Sequence, residues 1–194
     1  MNKSSIWPLE SDTTENWAYY SQAFSKEECQ HIIKHAKSES LRDAYVGKEN
    51  KKNLKLRKSK VAWLTPDSEL RETYKKLTDI VTEINNKYFK FDLYGFGEAI
   101  QFTQYKAPGG KYGKHIDKSL NSCVRKLSLI VQLTDPKKYE GGDIHLYVDD
   151  NPIKLDRTIG NVYLFPSYVM HEVTPVTKGE RCSLVAWLTG PRFK

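Results

Sequence analysis

The run Lys114-His-Ile-Asp-Lys118 sets a histidine and a carboxylate one residue apart, and a second histidine, His171, stands downstream with Arg181 after it. Two histidines and one carboxylate on one face of a metal leave coordination positions open, which suits non-haem Fe(II) and O2. An arginine offers a planar fork of donors that matches a carboxylate, so Arg181 could clamp the far end of a dicarboxylic cosubstrate. His-x-Asp on a strand sends both side chains to one face, because strand side chains alternate. Ile116 between them is then expected to point into the wall. Alone, this spacing is weak, since a buried His–Asp hydrogen bond is a common structural device. His171 and Arg181 together raise its specificity.

These residues need a scaffold, and the second half of the chain reads as one. Short strand candidates run from Ala99 to Tyr105, Lys114 to Lys118, Lys126 to Leu133, Asp143 to Val148, Asn161 to Phe165, Met170 to Thr174 and Arg181 to Leu188. Turn signals such as Pro108-Gly-Gly110, Gly141-Gly142 and Lys178-Gly179 separate them. Many short strands with no helical crossover predict an antiparallel sandwich or barrel of jelly-roll type. Helices come first. Ser25-Lys-Glu-Glu28 is a capping box that opens a helix to about Lys37, with Cys29, Ile32, Ile33 and Ala36 on its apolar face. Thr65-Pro66-Asp67 predicts a second helix with proline at its first position. Leu70, Tyr74, Leu77, Ile80, Val81, Ile84 and Tyr88 give that helix its apolar stripe. Ser59 to Leu64 reads as a short strand, and the first twenty or so residues give no element. His31 and His35 lie one turn apart off the apolar face and read as surface histidines.

Composition narrows the class. At 194 residues with 39% apolar and 28% charged side chains, the chain fits one globular domain with a sizeable core. The expected division is a helical support and basic flap region over 1–97 and a jelly-roll catalytic core over 98–194, in one α+β domain. No apolar run is long enough to span a bilayer, so no membrane partner is expected. Met1 to Pro8 lacks the apolar core of a signal peptide. Cys29, Cys123 and Cys182 are odd in number and without CxxC spacing, which points to a reducing, cytoplasmic setting. The net charge of +7 is concentrated in Lys48, Lys51, Lys52, Lys55, Arg57, Lys58 and Lys60. The bland reading of this 48–60 segment is a solvated, mobile loop; the sharper one is a basic flap that recruits substrate.

The block Gln104-Tyr-Lys-Ala-Pro-Gly-Gly-Lys-Tyr-Gly-Lys-His-Ile-Asp117 resembles the iron-binding segment of prolyl 4-hydroxylase-like Fe(II)/2-oxoglutarate dioxygenases. Arg125 to Leu133, Tyr139-Glu-Gly-Gly-Asp143, Gly160 to Ser167 and His171 to Arg181 resemble that family's later barrel strands, in order and spacing. The resemblance implies a double-stranded β-helix of cupin-like type with N-terminal support helices. It implies His115, Asp117 and His171 as iron ligands, and Arg181 as the residue binding the distal carboxylate of 2-oxoglutarate. Ser183 and Tyr105 match further cosubstrate contacts; Tyr112 and Trp187 match aromatics lining the substrate mouth, where plain packing is the competing use. Fe(II), 2-oxoglutarate and O2 follow as cofactor and cosubstrates, with ascorbate in support. The implied reaction hydroxylates an unactivated C–H bond, in a prolyl residue of a peptide or protein, and releases succinate and CO2. Intact Asp117 favours hydroxylation over halogenation, which requires a small residue there.

Two departures bear on substrate. The collagen-modifying branch usually carries lysine at the position of Arg181, and the oxygen-sensing branch carries tyrosine at that of Gln132. Three rival readings stand beside the peptide one. The same chemistry could act on nucleic acid as a demethylase, which the net charge suits but which usually brings a second arginine where this chain has Trp187. It could act on a free amino acid or small metabolite. The chain could also be a jelly-roll binding module without turnover. One sequence carries no reading of oligomeric state.

Overall fold

The computed structural model describes residues 15–44, 53–67, 69–118 and 124–192. Strand β1 (Ala18–Tyr20) precedes helix α1 (Lys26–Ser38). Then β2 (Arg42–Asp43), β3 (Arg57–Lys58) and β4 (Lys60–Leu64) lead to α2 (Arg71–Ile84), which continues into a π-helical turn, Asn85–Phe89. The barrel half follows as β5 (Gly95–Phe96), β6 (Ile100–Lys106), β7 (Gly110–His115), β8 (Arg125–Gln132) and β9 (Tyr139–Gly141). It ends with β10 (Ile144–Tyr147), β11 (Ile153–Lys154), β12 (Val162–Pro166) and β13 (Met170–Thr189).

Every pairing among these strands is antiparallel. The expected strands 170–174 and 181–188 are one continuous strand, β13, and it serves two sheets. Its first half runs between β10 and β7. Its second half runs between β6 and β8 in the order β1-β12-β8-β13-β6-β4-β2. Gly179 (φ +72°) lies between the two halves, where a Cβ would come within 2.1 Å of the Lys138 carbonyl oxygen. Only glycine combines that conformation with that approach. The result is a double-stranded β-helix, with four strands, β1 to β4, drawn from the helical half of the sequence.

Alternation along the strands sorts side chains to two cores. Leu127, Leu129 and Val131 of β8, Ile100 and Phe102 of β6, and Cys182, Leu184, Ala186 and Leu188 of β13 pack outward under the helices. There they meet Cys29, Ile32 and Ala36 of α1 and Leu77, Ile80, Val81 and Ile84 of α2. The other faces of the same strands turn into the barrel with Tyr105, Ile130, Tyr163 and Phe165. Into that interior the chain also places Arg181, Ser183, Ser128, Gln132 and Thr103, all buried. Polar groups at inward positions of otherwise apolar strands set this interior apart from the core under the helices.

The helices follow their end signals unequally. Around α1 the capping box forms: the Ser25 N–H donates to Glu28 Oε2 (2.7 Å) and the Glu28 N–H to Ser25 Oγ (3.2 Å). Helix α2 does not begin at Pro66. The Asp67 N–H donates to the Thr65 carbonyl (2.8 Å) and Asp67 Oδ1 accepts from the Leu70 N–H (3.0 Å). This local turn takes up the donors that an earlier helix start would use, so α2 starts at Arg71. Its far end widens into the π turn, closed by Lys90 in the left-handed region, whose N–H donates to the Asn85 carbonyl (2.6 Å).

Of the basic run, Lys48, Lys51 and Lys52 lie outside the described residues. The rest is not a solvated loop throughout: Arg57 and Lys58 form β3 on the edge of β7, and Arg57 is buried. Among the described residues no helix is long and apolar enough to cross a membrane.

Candidate metal centre

The two histidines are brought together by strand pairing, since His115 at the end of β7 lies opposite His171 at the start of β13. Their ring centroids are 4.1 Å apart. Each ring is oriented by a backbone carbonyl: His115 Nδ1 lies 2.8 Å from the Gly113 oxygen and His171 Nδ1 lies 3.0 Å from the Val169 oxygen. Those contacts place the ring proton on Nδ1 and leave both Nε2 lone pairs free, the tautomer a metal needs. Asp117 faces them, with Oδ1 3.6 Å from His115 Nε2 and Oδ2 3.5 Å from His171 Nε2. Among the described residues this is the one group whose three ligand atoms converge, all within 4.8 Å of one another. His31 and His35 instead stand 3.4 Å from Glu69 and 3.5 Å from Asp67.

Asp117 reaches this position by a route the alternation argument misses. Strand β7 ends at His115, and Asp117 lies beyond it. Its N–H and that of Lys118 both donate to the Ser167 carbonyl (3.0 and 2.9 Å). Ile116 consequently turns outward and is 49% exposed, not packed into the wall. The carboxylate is held by Ser128, whose Oγ donates to Oδ2 (2.7 Å) and lies 3.0 Å from Ser167 Oγ. Burial alone would raise the Asp117 pKa, but His171, His115 and these hydrogen bonds more than offset it, and the acid stays below its ordinary value. Burial, followed by His171, pushes His115 down to about 4. An ionised carboxylate beside a neutral His115 imidazole suits the donor set of a hard-to-borderline divalent metal.

Deeper in the barrel, Arg181 is 1% exposed. Nη2 donates to Gln132 Oε1 (2.9 Å) and Nη1 to Ser183 Oγ (3.4 Å), both neutral, while Nε has no partner. No carboxylate of the described residues pairs with it. A buried, unpaired guanidinium costs several kcal/mol, so this pocket is built for an anion. Tyr105, its cross-strand partner, lies with its ring centroid 5.4 Å from the guanidinium carbon. Gly142 (φ +65°) gives the side chain room, since a Cβ there would stand 3.1 Å from Arg181 Cδ. The Tyr139 hydroxyl is buried nearby, also without a partner.

Tyr112 and Trp187 border the ligand set. The Tyr112 ring stacks on His115 at 3.5 Å and 16°, and burial pushes its phenol up to about 12. Trp187 lies under the Arg125 guanidinium (3.8 Å) and 6.0 Å from the half-exposed Trp63. Its buried indole N–H is close enough to help hold Asp117 charged but completes no hydrogen bond. So of the eight residues singled out from sequence, Tyr112 stands against the ligand set, Trp187 lies beside Asp117, and Tyr105 and Ser183 stand against Arg181. Sequence reasoning missed Ser128, Tyr139, Gln101 and the burial of Arg57. The signal was present for Ser128, which shares the inward parity of Gln132 along β8.

The sequence profile described as the 2OG-Fe(II) oxygenase superfamily matches residues 100–189. A PKHD-type hydroxylase of Gloeothece citriformis is 38% identical over 95 residues, 46% of this chain and 42% of the relative. Another, from Prochlorococcus marinus strain NATL2A, is 34% identical over 117 residues, 58% of this chain and 52% of the relative. The chain therefore spans about half the length of the curated relatives it matches. Among solved structures, a Pseudomonas putida prolyl-4-hydroxylase superposes with a TM-score of 0.73, covering 92% of this chain and 95% of that one at 20% identity. A Trichoplax adhaerens prolyl hydroxylase, solved with a hypoxia inducible factor oxygen degradation domain peptide fragment, gives 0.76 over 90% and 83% at 18% identity. Residues 100–189, which carry the converging His-Asp-His set and the buried Arg181, thus match the 2OG-Fe(II) oxygenase superfamily model, and the chain has the fold of the prolyl hydroxylases.

Proposed function

We propose that the chain is an Fe(II)/2-oxoglutarate-dependent dioxygenase that hydroxylates a prolyl residue in a peptide or protein, releasing succinate and CO2. The observation that carries it is the pairing, in one barrel, of a buried His115-Asp117-His171 set with a fully buried Arg181 that lacks an anionic partner among the described residues. His115 Nε2, His171 Nε2 and an Asp117 oxygen would hold the metal. Bound Fe(II), kept reduced by ascorbate, supplies the O2 activation that couples oxidative decarboxylation of 2-oxoglutarate to C–H hydroxylation.

The chain's own residues bind, orient and exclude water. The Gly113 and Val169 carbonyls fix the imidazole tautomers, and Ser128 orients the carboxylate. Arg181, with Gln132 and Ser183 alongside and Tyr105 against its guanidinium, would take the distal carboxylate of 2-oxoglutarate and so orient the keto acid end toward the ligand set. Tyr112 and Trp187 would wall the approach, keeping water from the reacting C–H bond. We take residues 1–194 as one catalytic unit, because β1, β2 and β4 complete the same sheet that carries Arg181. The free, buried thiols Cys29 and Cys182 accord with a cytoplasmic setting.

Peptide substrates are favoured by the solved neighbour that holds one. The nucleic-acid reading is weakened by Trp187, buried where a second arginine would be needed. A mass-spectrometric search for +16 products tests the substrate. Proline-containing peptides incubated with the protein, Fe(II), 2-oxoglutarate and ascorbate should gain 16 Da on proline. Modification of methylated oligonucleotides or free proline alone would move the chemistry to those substrates.

A further inference from the structure

Arg181 is not the one buried guanidinium at this site. Arg57, on β3, is 8% exposed and lies across from Tyr112 in the strand register. Its guanidinium carbon sits 4.5 Å from the Tyr112 ring centroid, and Tyr112 in turn stacks on His115. Arginine, phenol and imidazole thus form a three-layer stack that ends on a proposed metal ligand. The hydrogen bond of Arg57 to the buried Gln101 and its contact with the Tyr112 ring put the guanidinium on the interior side of β3.

Its partners among the described residues are neutral. Nη2 donates to Gln101 Oε1 (2.8 Å) and Nε to Ser59 Oγ (3.0 Å). No carboxylate of the described residues pairs with it, and no partner among them takes Nη1. A cation withdrawn this far from water without a counter-charge is costly, and fixing it on two neutral acceptors and an aromatic face pre-organises it for an anion. That anion does not come from 2-oxoglutarate. Of its two carboxylates, one belongs with the metal and the other with Arg181. The remaining anion must arrive on the other substrate.

We infer that Arg57 is a specificity-determining residue that binds a carboxylate of the primary substrate, so that the preferred peptide carries an acidic side chain close to the hydroxylated residue. This rests on the oxygenase reading and sharpens its substrate class. A carboxylate fits better than a phosphodiester backbone. One face of Arg57 is covered by Tyr112 and two of its nitrogens are engaged, leaving room for a single small anion. The adjacent Lys58 is drawn away to the Pro108 carbonyl (2.7 Å) and does not extend a basic track.

The test reads binding. Blocked proline peptides carrying Glu or Gln at each of the flanking positions, and free proline, are titrated by fluorescence anisotropy competition into Mn(II)-loaded protein with 2-oxoglutarate. Charge-assisted hydrogen bonds are worth about 1.5–3 kcal/mol, so at one flanking position Glu should be preferred over Gln by about 10- to 100-fold. Arg57→Gln should remove that preference and Arg57→Lys should retain part of it, while Lys60→Gln, at an exposed position of β4, should leave it intact. Each ratio is taken within one variant, so a loss of folded protein does not mimic the result. Equal affinity for Glu and Gln peptides, persistence of the preference in Arg57→Gln, or binding of free proline or an oligonucleotide in place of any peptide would overturn the assignment. A failure of the oxygenase reading would show separately, as absent succinate release with the Glu/Gln ratio still measurable.

Discussion

At the scale of single residues, the site is governed by which charges are paired. Asp117 is matched by two imidazoles and Ser128, and its geometry is over-determined before any metal arrives. Arg181 is the reverse case, a guanidinium enclosed with Gln132 and Ser183 and waiting for an anion. Replacing Arg181 with Gln should therefore weaken 2-oxoglutarate binding by about 10- to 100-fold, the range for losing charge-assisted hydrogen bonds. Fe(II) affinity should stay near wild type, because the ligand set is untouched. Calorimetric titration of each in turn checks both parts, and unchanged 2-oxoglutarate affinity would remove Arg181 from its role. The four residues proposed to carry the chemistry, His115, Asp117, His171 and Arg181, were legible because residue type restricts what each can do. Ser128 and Tyr139 were not, since hydroxyls occur everywhere and only their burial against a charge or a glycine turn gives them meaning.

At the scale of elements, positioning is divided between strand register and the helices behind the sheet. The β13 register brings His171 opposite His115 and Arg181 opposite Tyr105, so one strand sets both the ligand pair and the anion pocket. Helices α1 and α2 cover the outer face of that sheet and carry no site residue. Leu77, fully buried on the inner face of α2, should cost about 2–5 kcal/mol on replacement by Ala through lost burial and a residual cavity. Urea melts should show that loss while metal affinity of the folded fraction is retained; a selective loss of metal would mean that α2 shapes the site directly. Periodicity revealed these helices, as it depends on packing against one face. Their ends were less legible: the turn at Asp67 competes for the donors that the Thr65-Pro66 signal assigns to a helix. The fusion of two expected strands into β13 was hidden for a related reason, because Lys178-Gly179 has turn chemistry yet bends a strand without ending it. Arg57 shows the limit of charge patterning, in which a basic run reads as solvated until pairing with β7 buries one member.

At the scale of the molecule, a double-stranded β-helix places a polar-lined interior between two sheets, with β3 paired on the edge of β7. Helices α1 and α2 close one outer face, and in the proposed reading substrates would approach past Tyr112, Trp187 and Arg57. The central claim is that this interior runs iron- and 2-oxoglutarate-dependent oxidation rather than binding alone. Succinate release from 2-oxoglutarate, measured with and without Fe(II) in wild type and in His115→Ala, tests it most directly. Wild type should release succinate only with Fe(II), and His115→Ala should lose both Fe(II) binding and release. No release from folded, Fe(II)-supplied wild type, or release that persists undiminished in His115→Ala, would contradict the account.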